Sequence, residues 1–436
     1  MTIVKCLKCP TRLKWANDNN DGASKMRKYT SLLLSVIVLF AIASIGFLPH
    51  SLAKTNAFST VNPGDSIQQA INNASNGDTI NITSGIYHES RIIVNKTVTL
   101  FGTDANTTIV DGDETTSAIF VVHADGVKIG NLTLQNTSNS GGIGVSITDY
   151  GNLEVSDCII KQCYEGITLA NTTNCVIARN TIKDNYVNGI YIHYFSSFNH
   201  IFGNTIENNT VGVLVAETNC QKNLLYYNNF LSNINHTGGF GRAASDWNAT
   251  YPNGGNFWSD YVGVDLNHGP YQDVNGSDGI GDANCTLIGD VVDFYPLMAP
   301  AYYFYSGMWN QQEYYVAIGT SSNVSDYAFY PDGPQPFINF TLAGSNASSC
   351  RVSIPREMLF VLPPANWTVE ANQTVLSDVL ILEDADFTYF YFNFTEASNV
   401  TIKTTGTGAI SEFSQLVLPI MLATSMISML LKKRKR

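Results

Sequence analysis

The body of this chain has few basic residues. Between residues 54 and 410 the sequence contains 12 lysines and arginines against 33 aspartates and glutamates, a net charge of −21. A protein that binds nucleic acid needs a basic face to neutralise phosphates. This region offers no such face, so nucleic acid is excluded as a partner. The acidic balance instead favours solubility and attracts cations.

Strongly apolar runs are scarce, and they occur only near the two ends of the chain. The first covers residues 31–48 and follows a basic segment that begins after Met26. Small residues lead to a cleavage-like position after Ala53. These features predict a signal peptide or signal anchor over residues 26–53, with residues 1–25 a leader or a mis-assigned start.

The second apolar run covers residues 416–431 and is followed directly by the basic tail 432–436. A helix buried in a protein core would not end in five consecutive cations. By the positive-inside rule, the tail stays in the cytosol and everything before the run faces outward. The sequence therefore predicts a transmembrane anchor and a location at the cell surface.

The cysteines show no regular spacing. Cys6 and Cys9 form a lone CxxC without a second pair, which assigns no function. Six more cysteines fall in the part predicted to be exported, where the compartment is oxidising. One local disulfide among Cys158, Cys163 and Cys175 is predicted, with buried free thiols as the alternative.

The sequence does contain an internal repeat. Four similar segments begin at Val127 (VKIGNLTLQN), Leu153 (LEVSDCIIKQ), Val176 (VIARNTIKDN) and His200 (HIFGNTIENN), and a weaker copy begins at Asn223. Short strands at a period in the low twenties predict a solenoid, because each unit can bury its apolar face only against a neighbour. Residues 64–235 have room for roughly seven such coils.

A second pattern runs between these segments. In this pattern a glycine is followed by an apolar residue, a residue of any type and a second apolar residue. It occurs at Gly144, Gly166, Gly189 and Gly212, which are 22, 23 and 23 residues apart. In the third of these, Ile190 and Ile192 are predicted to face inward and Tyr191 outward. Before the repeats, Ser66 to Gln69 form a capping box that predicts a short amphipathic helix covering the open N-terminal end.

Polar residues recur within the repeats at one apparent position. A ligand groove is one interpretation of this recurrence, and an internal ladder of amide side chains is the favoured one. The residues are Asn131, Asp157, Asn180, Asn204 and Asn228.

Several segments resemble a known family. The opening SIQQAINNASNGDTI, the repeats, and the closing blocks GGNFWSDYVGVD, DGIGD and DFYPLM resemble NosD-like right-handed parallel β-helix proteins of the pectin-lyase-like type found on archaeal surfaces. The resemblance implies an all-β fold, with a right-handed parallel β-helix over residues 60–298 and an acidic C-terminal cap over 254–298. Residues 299–410 alternate like strands and resemble the β-sandwich that follows such helices.

A copper role is attached to the NosD name, and the composition of this chain excludes it. Cu(I) favours methionine and cysteine ligands. No methionine lies between Met26 and Met298, and His193 and His200 are too few for a site.

The predicted cap is rich in acidic and amide residues that alternate with glycine. Closely spaced oxygen ligands of this kind suit a structural Ca²⁺ ion. The alternative is a solvated loop that caps the helix, since the spacing departs from an EF-hand and no glutamate closes it. The candidate ligands are Asp265, Asn267, Asp273, Asn275, Asp278 and Asp282.

An aromatic cluster lies in one repeat. Tyr191, His193, Tyr194 and Phe198 are candidates for stacking on sugar rings. The alternative is a turn packed against a neighbouring loop.

Catalysis on polysaccharide would need paired carboxylates on one face. The acids near the repeats differ in their offsets, so no pair recurs in vertical register and an enzyme is unsupported; they are Asp149, Glu165, Asp184, Glu207 and Glu217. The leading hypothesis is a membrane-anchored surface protein for display, adhesion or carbohydrate binding, with surface glycans or other envelope proteins as partners. The rival hypothesis is a polysaccharide lyase or glycoside hydrolase.

Glycosylation signals agree with a surface location. The sequence contains 19 Asn-x-Ser/Thr triplets between Asn73 and Asn399. The candidate acceptors are Asn131, Asn171, Asn248, Asn339 and Asn393.

Overall fold

The computed structural model describes residues 57–404, apart from 288–290, 310–311, 333–334, 345–347 and 362–365. The predicted signal segment 26–53 and the predicted anchor 416–431 lie outside the described residues. Within the described part, no helix is long and apolar enough to span a bilayer.

Three parallel sheets wrap around one core between Phe58 and Trp258. The chain moves from sheet A to sheet B to sheet C in each turn, and strands of successive turns pair in register. Val155, for example, pairs with Ile129 of the preceding turn and Ile177 of the following one. The predicted all-β solenoid is confirmed, with about eight turns rather than seven.

Sheets A and B have eight strands each and sheet C has seven. Sheet A contains β1 (Phe58–Val61), β2 (Thr79–Ile82), β5 (Thr99–Gly102), β8 (Lys128–Gly130), β11 (Glu154–Ser156), β14 (Val176–Ala178), β17 (His200–Phe202) and β20 (Leu224–Tyr226). Sheet B contains β3 (Gly85–His88), β6 (Thr108–Thr115), β9 (Thr133–Thr137), β12 (Ile159–Lys161), β15 (Thr181–Lys183), β18 (Thr205–Glu207), β21 (Asn229–Leu231) and β23 (Phe257–Trp258). Sheet C contains β4 (Ile92–Val94), β7 (Ala118–Val122), β10 (Ile143–Thr148), β13 (Glu165–Ala170), β16 (Asn188–His193), β19 (Val211–Val215) and β22 (Asn235–Gly238).

The recurring glycines are explained by the stacking of coils. A Cβ atom added to Gly144, Gly166 or Gly189 would lie 2.5 to 2.6 Å from the carbonyl oxygen of the equivalent glycine in the next coil. Such a contact is too short for any side chain, so glycine is required at each step. Ile190 and Ile192 beside them are fully buried, as predicted.

Asparagine side chains form ladders inside the turns. The Nδ2 atom of Asn180 donates to Oδ1 of Asn204 at 3.0 Å, Asn204 to Asn228 at 2.9 Å, and Asn228 to Asn256 at 2.9 Å. Each amide also donates to a backbone carbonyl of the preceding coil, that of Asn180 to Val155. The predicted internal ladder is therefore confirmed for these residues, and it rigidifies the stack because every buried amide has partners.

Two members of the predicted ladder were misplaced by one residue. Asn131 and Asp157 lie at the preceding position, where the backbone is left-handed with φ of 58° and 56°. Arg179 occupies that same position in the next coil, with φ of 58°. The ladder position in the first two coils is taken instead by Leu132 and Cys158. The period of the repeat was clear, but its exact register was not.

The N-terminal end of the solenoid is covered by helix α1 (Ile67–Asn73). Ser66 accepts a hydrogen bond from the Gln69 backbone N–H, which confirms the predicted cap. The Glu89 carboxylate adds to it by accepting from the backbone N–H of Ile67 at 2.8 Å and of Gln68 at 3.0 Å. A carboxylate is favourable there because it satisfies free N–H groups at the positive end of the helix.

Antiparallel strands follow the solenoid. Two hairpins lie in the predicted cap, β24 (Asn267–His268) with β25 (Val274–Asn275), and β26 (Cys285–Leu287) with β27 (Val291–Asp293). Two five-stranded sheets come next. Sheet D has the order β28 (Ala301–Trp309), β29 (Gln312–Gly319), β32 (Ser348–Pro355), β36 (Phe387–Phe394) and β35 (Val379–Glu383). Sheet E has the order β30 (Asn323–Tyr330), β31 (Phe337–Ala343), β37 (Ser398–Thr404), β33 (Trp367–Ala371) and β34 (Thr374–Val375).

Sheets D and E, here called the antiparallel region, share one buried core. Val352 and Phe390 of sheet D and Phe340 and Val400 of sheet E belong to the same cluster of fully buried side chains. Alternation along each strand thus turns one face of each sheet to the core.

The antiparallel region is bonded directly to the end of the solenoid. Asn229 of β21 donates to the Ala301 carbonyl at 2.8 Å and accepts from the Ala301 N–H at 2.9 Å. The hydroxyls of Tyr227 and Ser353 lie 2.8 Å apart. Buried Arg351 donates to a backbone carbonyl of the cap, that of Asp278. These polar bonds join strands of sheet D to the last turns of the solenoid and to the cap.

The predicted disulfide is wrong. Cys158, Cys163 and Cys175 are all free and buried. Burial raises the pKa of the Cys158 and Cys163 thiols to about 12. These cysteines act as small apolar side chains of the core, the alternative that the sequence left open.

Candidate functional site

Aromatic side chains project from one turn of the solenoid and from the strand that precedes it. Tyr191 and His193 of β16 point away from the core, and their rings stack at 4.3 Å with an interplanar angle of 10°. The Tyr194 ring follows at 4.5 Å from His193, tilted by 43°. We call these residues, together with Phe195 and Phe198 of the same turn, the aromatic platform.

The outer part of the platform is open to solvent. The exposed fractions of Tyr194, Phe195 and Phe198 are 60%, 63% and 49%. The ammonium group of Lys222 lies 5.4 Å from the centre of the Phe198 ring. These three rings therefore gain little from burial within the protein.

The backbone at these exposed rings is left-handed. The φ angles of Tyr194, Phe195 and Phe198 are 48°, 62° and 58°. A left-handed backbone is unfavourable for residues with a Cβ, by roughly 1–2 kcal/mol each, and is rare for bulky side chains.

Neighbouring coils fill the same positions with residues that tolerate this conformation. Asp149 and Asn171 precede Tyr194 in the stack, with φ of 65° and 53°. Asn152 and Asn174 precede Phe198, with φ of 55° and 56°, and Thr173 pairs with Ser197 just before them. Lys222 follows Phe198 at the same position, with φ of 55°.

The coil that carries the platform is also one residue longer at this turn. Two residues lie between Asn171 and Asn174, whereas three lie between Tyr194 and Phe198. Phe195 is the additional residue. The turn thus departs from its neighbours both in length and in side-chain type.

Acidic groups border the platform. Glu217 accepts a hydrogen bond from the Tyr194 N–H at 3.1 Å. Burial lowers the pKa of His193, while the carboxylates of Glu217 and Glu165 oppose that shift. The Nε2 atom of His193 is buried without a hydrogen-bond partner. The lowered pKa favours the neutral imidazole of His193, which stacks on the Tyr191 ring.

The acids considered for catalysis have other partners. Glu165 is 9% exposed and accepts from the Thr168 hydroxyl at 2.8 Å and from the Asn188 amide at 3.0 Å. Asp184 is exposed in the turn after β15, where it accepts from Asn208 at 3.4 Å. Both carboxylates hold local structure, and no catalytic pair is formed from them.

The predicted calcium loop uses its carboxylates to bind backbone N–H groups. Asp265 accepts from the N–H of Asp278 at 3.0 Å and of Gly279 at 2.7 Å. Asp282 accepts from the N–H of Leu266 and Asn267 and from the Asn267 amide. A cation would have to compete with these donors.

The remaining predicted ligands differ in their exposure to solvent. Asp273 and Asn275 are exposed at the β24–β25 hairpin, whereas Asp278 is fully buried. Burial raises the pKa of Asp265 to about 6. Calcium binding at this loop stays a prediction.

One group of metal-ligating side chains was missed from the sequence. His88, Asp111 and Asp113 place donor atoms within 4.8 Å of one another, and it is the only such group of three among the described residues. His88 Nδ1 lies 2.8 Å from Asp113 Oδ1. Gln135 and Asn136 donate to the Asp111 carboxylate. No spacing motif links residues from two strands of different turns, so sequence could not reveal the group.

A second feature missed from the sequence is a long cleft between sheet A and the antiparallel region, with a volume of about 1050 Å³. Its floor is the outer face of sheet A, and its roof comes from β28, β29 and nearby loops. The aromatic residues that line it are Phe58, Phe101, Phe202, Tyr226, Tyr227, Tyr303, Tyr314, Tyr315 and Phe387. Residues from opposite ends of the described chain meet here, so only the fold reveals the cleft.

A cation–π contact joins the floor of the cleft to its roof. Arg179 donates to both oxygens of Asp157 at 2.8 and 3.0 Å and lies 4.0 Å from the centre of the Tyr315 ring. Hydrogen bonding to Asp157 raises the pKa of Arg179 in spite of its burial. The Tyr315 hydroxyl in turn donates to Glu313 at 3.0 Å.

The glycosylation candidates differ in how far their amides are already engaged. Asn131 is half-buried and donates to the Gly102 carbonyl, and Asn248 donates to the Ala249 carbonyl. Asn171 donates to Asp149, and Asn339 to Asn399. Asn393 is exposed on β36. Modification of the first two would break bonds to the backbone.

One part of the solenoid matches a known protein family. Residues 55–263 match the family described as Periplasmic copper-binding protein (NosD). No curated protein matches the chain.

Several solved structures match part of this chain at low sequence identity. Pectin methylesterase PemA from Erwinia chrysanthemi is 13% identical, with a TM-score of 0.33 over 47% of this chain and 78% of that one. The rice weevil pectin methyl esterase is 13% identical, with a TM-score of 0.30 over 50% and 74%. The mannuronan C-5 epimerase AlgE6 A-module from Azotobacter vinelandii is 14% identical, with a TM-score of 0.26 over 38% and 64%.

The side chains described here do not fit a copper site. Copper sites are built from sulfur and imidazole ligands. The one described group of three donors, at His88, contains a single imidazole, two carboxylates and no sulfur. The six described cysteines are buried in the cores and belong to no such group.

Proposed function

We propose that this protein is an extracytoplasmic β-helix protein that binds carbohydrate through the aromatic platform. The observation that supports this function is the placement of Tyr194, Phe195 and Phe198 in left-handed backbone positions while their rings stay exposed. A strained residue that gains no burial suggests a role outside folding. Exposed aromatic rings provide flat apolar faces beside polar groups, and a sugar ring has the same two-sided character.

The chemistry around the platform suits a neutral sugar. The stacked rings of Tyr191 and His193 extend the flat surface, and Glu217 borders it. A carboxylate accepts hydrogen bonds from hydroxyl groups, whereas it repels an acidic sugar. Display and adhesion at the surface would follow from binding of this kind.

A titration with defined oligosaccharides tests the proposal. Tyr194→Ala should weaken binding at least about tenfold, since a central aromatic contact is commonly worth more than 1 kcal/mol. Tyr186→Ala is the matched control, because Tyr186 is 49% exposed in another turn of the same coil and lies outside the platform. Equal binding by Tyr194→Ala and wild type would refute the proposal.

The proposed location can be tested separately. We propose that residues 416–431 anchor the protein in the membrane with the solenoid outside the cytoplasm. With residues 26–53 exchanged for a cleaved signal peptide, truncation before residue 416 should release the protein from the membrane fraction, and the untruncated protein with the same exchange is the reference. A truncated protein that stays in the membrane would contradict this topology.

A further inference from the structure

The cleft between sheet A and the antiparallel region runs along the axis of the solenoid. Residues from β1, β2, β5, β8, β11, β14, β17 and β20 all line it, so it crosses the whole of sheet A. Eight strands at about 4.8 Å give a length of about 34 Å. Beside β14 the Arg179 guanidinium lies 4.0 Å from the centre of the Tyr315 ring, so the floor and the roof are in contact there. A narrow cleft of this kind suits one extended polymer chain better than a folded partner.

Two parallel rows of side chains form the floor. The first row begins with Phe58, Thr79 and Thr99 and continues through Lys128 and Glu154, all in register. The second row contains Thr60, Asn81, Phe101, Gly130, Ser156, Phe202 and Tyr226. Hydroxyls, an amide and aromatic rings therefore alternate along the cleft.

One aromatic ring of the second row packs beside a glycine of the next coil. A Cβ atom on Gly130 would lie 2.8 Å from an edge carbon of the Phe101 ring. Phe101 is 39% exposed, and the absence of a side chain at Gly130 leaves room for its ring. A partly exposed aromatic ring on a cleft floor can stack on a sugar ring.

The ligand cannot add to the sheet as a further strand. Interior strands of sheet A pair on both sides, and a chain in the cleft crosses them rather than lying beside an edge. Peptide recognition by strand addition needs an exposed sheet edge. Recognition in the cleft therefore depends on side chains, which suits a polymer of hydroxyl-bearing rings better than a peptide.

The charges of the cleft disfavour an acidic polymer. Four acids and two bases line it: Glu154, Glu313, Glu357, Asp386, Lys128 and Arg179. Both bases are already paired, Lys128 with Glu154 at 2.9 Å and Arg179 with Asp157 at 2.8 Å. A polyanion would meet a net negative cleft whose cations are occupied.

We propose that this cleft binds a single chain of a neutral polysaccharide, with Phe101 as a stacking contact. The site is separate from the aromatic platform and does not depend on the function proposed for it. It lies over sheet A, whereas the platform belongs to the outer face of sheet C and the turn that follows.

The experiment measures binding to the full-length protein carrying Tyr194→Asn, so that the contribution of the platform is reduced. The probes are neutral gluco- and manno-oligosaccharides from disaccharide to octasaccharide, and oligogalacturonates of the same lengths. Affinity for at least one neutral series should rise with length beyond the tetrasaccharide. The galacturonate series should bind at least about tenfold more weakly, because the cleft repels its carboxylates.

Two variants and a control connect the binding to the cleft. Phe101→Ala should weaken binding of the longest neutral chain at least about tenfold, and Thr99→Trp, which fills the floor, should abolish it. Ile86→Ala is the control, since Ile86 is 54% exposed on sheet B. Melting temperatures show that each variant is folded. Binding that ignores chain length, prefers galacturonate, or survives both substitutions would overturn the proposal.

Discussion

Tyr194 stacks directly on Asn171 of the preceding coil, and the two residues share one left-handed backbone conformation, with φ of 48° and 53°. Asparagine adopts this conformation readily, whereas tyrosine does so rarely. The Tyr194 side chain is nevertheless 60% exposed, so the fold does not require the ring. At one position of the repeat, Asn171 is therefore explained by folding, whereas Tyr194 is explained by the binding that we propose.

The reverse substitution tests the strain at this position. Asn171→Tyr should lower the free energy of unfolding by about 1 kcal/mol, because it places a bulky residue in the left-handed region and removes the hydrogen bond to Asp149. Denaturant unfolding measures the change. Asn235→Tyr, at an exposed position of β22, serves as the control. An Asn171→Tyr protein as stable as wild type would show that the backbone carries no strain there.

The asparagine ladder should be a major source of stability. Asn204→Ala removes the acceptor for both the backbone N–H and the amide of Asn180, which are buried. Leaving such groups unpaired costs about 2 to 4 kcal/mol of unfolding free energy. Asn235→Ala, at an exposed position, should cost less than about 0.5 kcal/mol. Similar losses in the two variants would argue against the ladder.

Asp293 should make stability depend on pH. Its carboxylate is buried where the ladder ends and accepts from the Asn256 N–H at 2.7 Å and the Trp258 ring N–H at 2.9 Å. Burial raises its pKa to about 7 in the folded protein, against a usual value of 3.8. The folded state thus binds this proton more tightly than the unfolded state does. The stabilisation is complete below about pH 4 and is lost as the pH rises through 7.

Unfolding at several pH values isolates the effect of Asp293. Relative to Asp293→Asn, the wild type should lose unfolding free energy between pH 4 and pH 8, since the variant cannot titrate at this position. Asp273→Asn is the control, because that side chain is exposed. A difference between wild type and Asp293→Asn that stays constant with pH would contradict the raised pKa.

The calcium prediction can be settled by melting temperature. Because Asp265 and Asp282 already accept backbone N–H groups, we expect a chelator to leave the melting temperature of the full-length protein unchanged. Removal of a bound structural ion would instead lower it, since a ligand that binds only the folded state stabilises it. A drop of several degrees, reversed by added Ca²⁺, would support an ion in the loop.

The fold was predictable because its signals are local and repeated. The glycines at 144, 166 and 189 and the buried isoleucines beside them showed the period directly. The register failed at Asn131 and Asp157, since a ladder residue and a left-handed turn residue are adjacent and both favour asparagine. Single-sequence patterns do not separate two such neighbours.

The candidate sites were predictable only in part. The aromatic platform lies within one coil, so its residues appear together in the sequence. The cleft brings Phe101 of β5 together with Tyr315 of β29, more than two hundred positions later in the chain. Its formation depends on how the antiparallel region seats against the solenoid, through contacts such as Asn229 with Ala301. No local pattern encodes that arrangement.

The most direct test of the account is a paired measurement on Tyr194→Asn, which gives the platform turn the residue found one coil earlier. Melting temperature and disaccharide affinity are measured on the same preparation, because a disaccharide is too short for the length-dependent binding proposed for the cleft. We expect the free energy of unfolding of the variant to equal that of wild type or to exceed it by up to about 1 kcal/mol. We expect its affinity to fall at least about tenfold. A variant that is clearly less stable, or that binds sugar as well as wild type, would contradict a functional role for this ring.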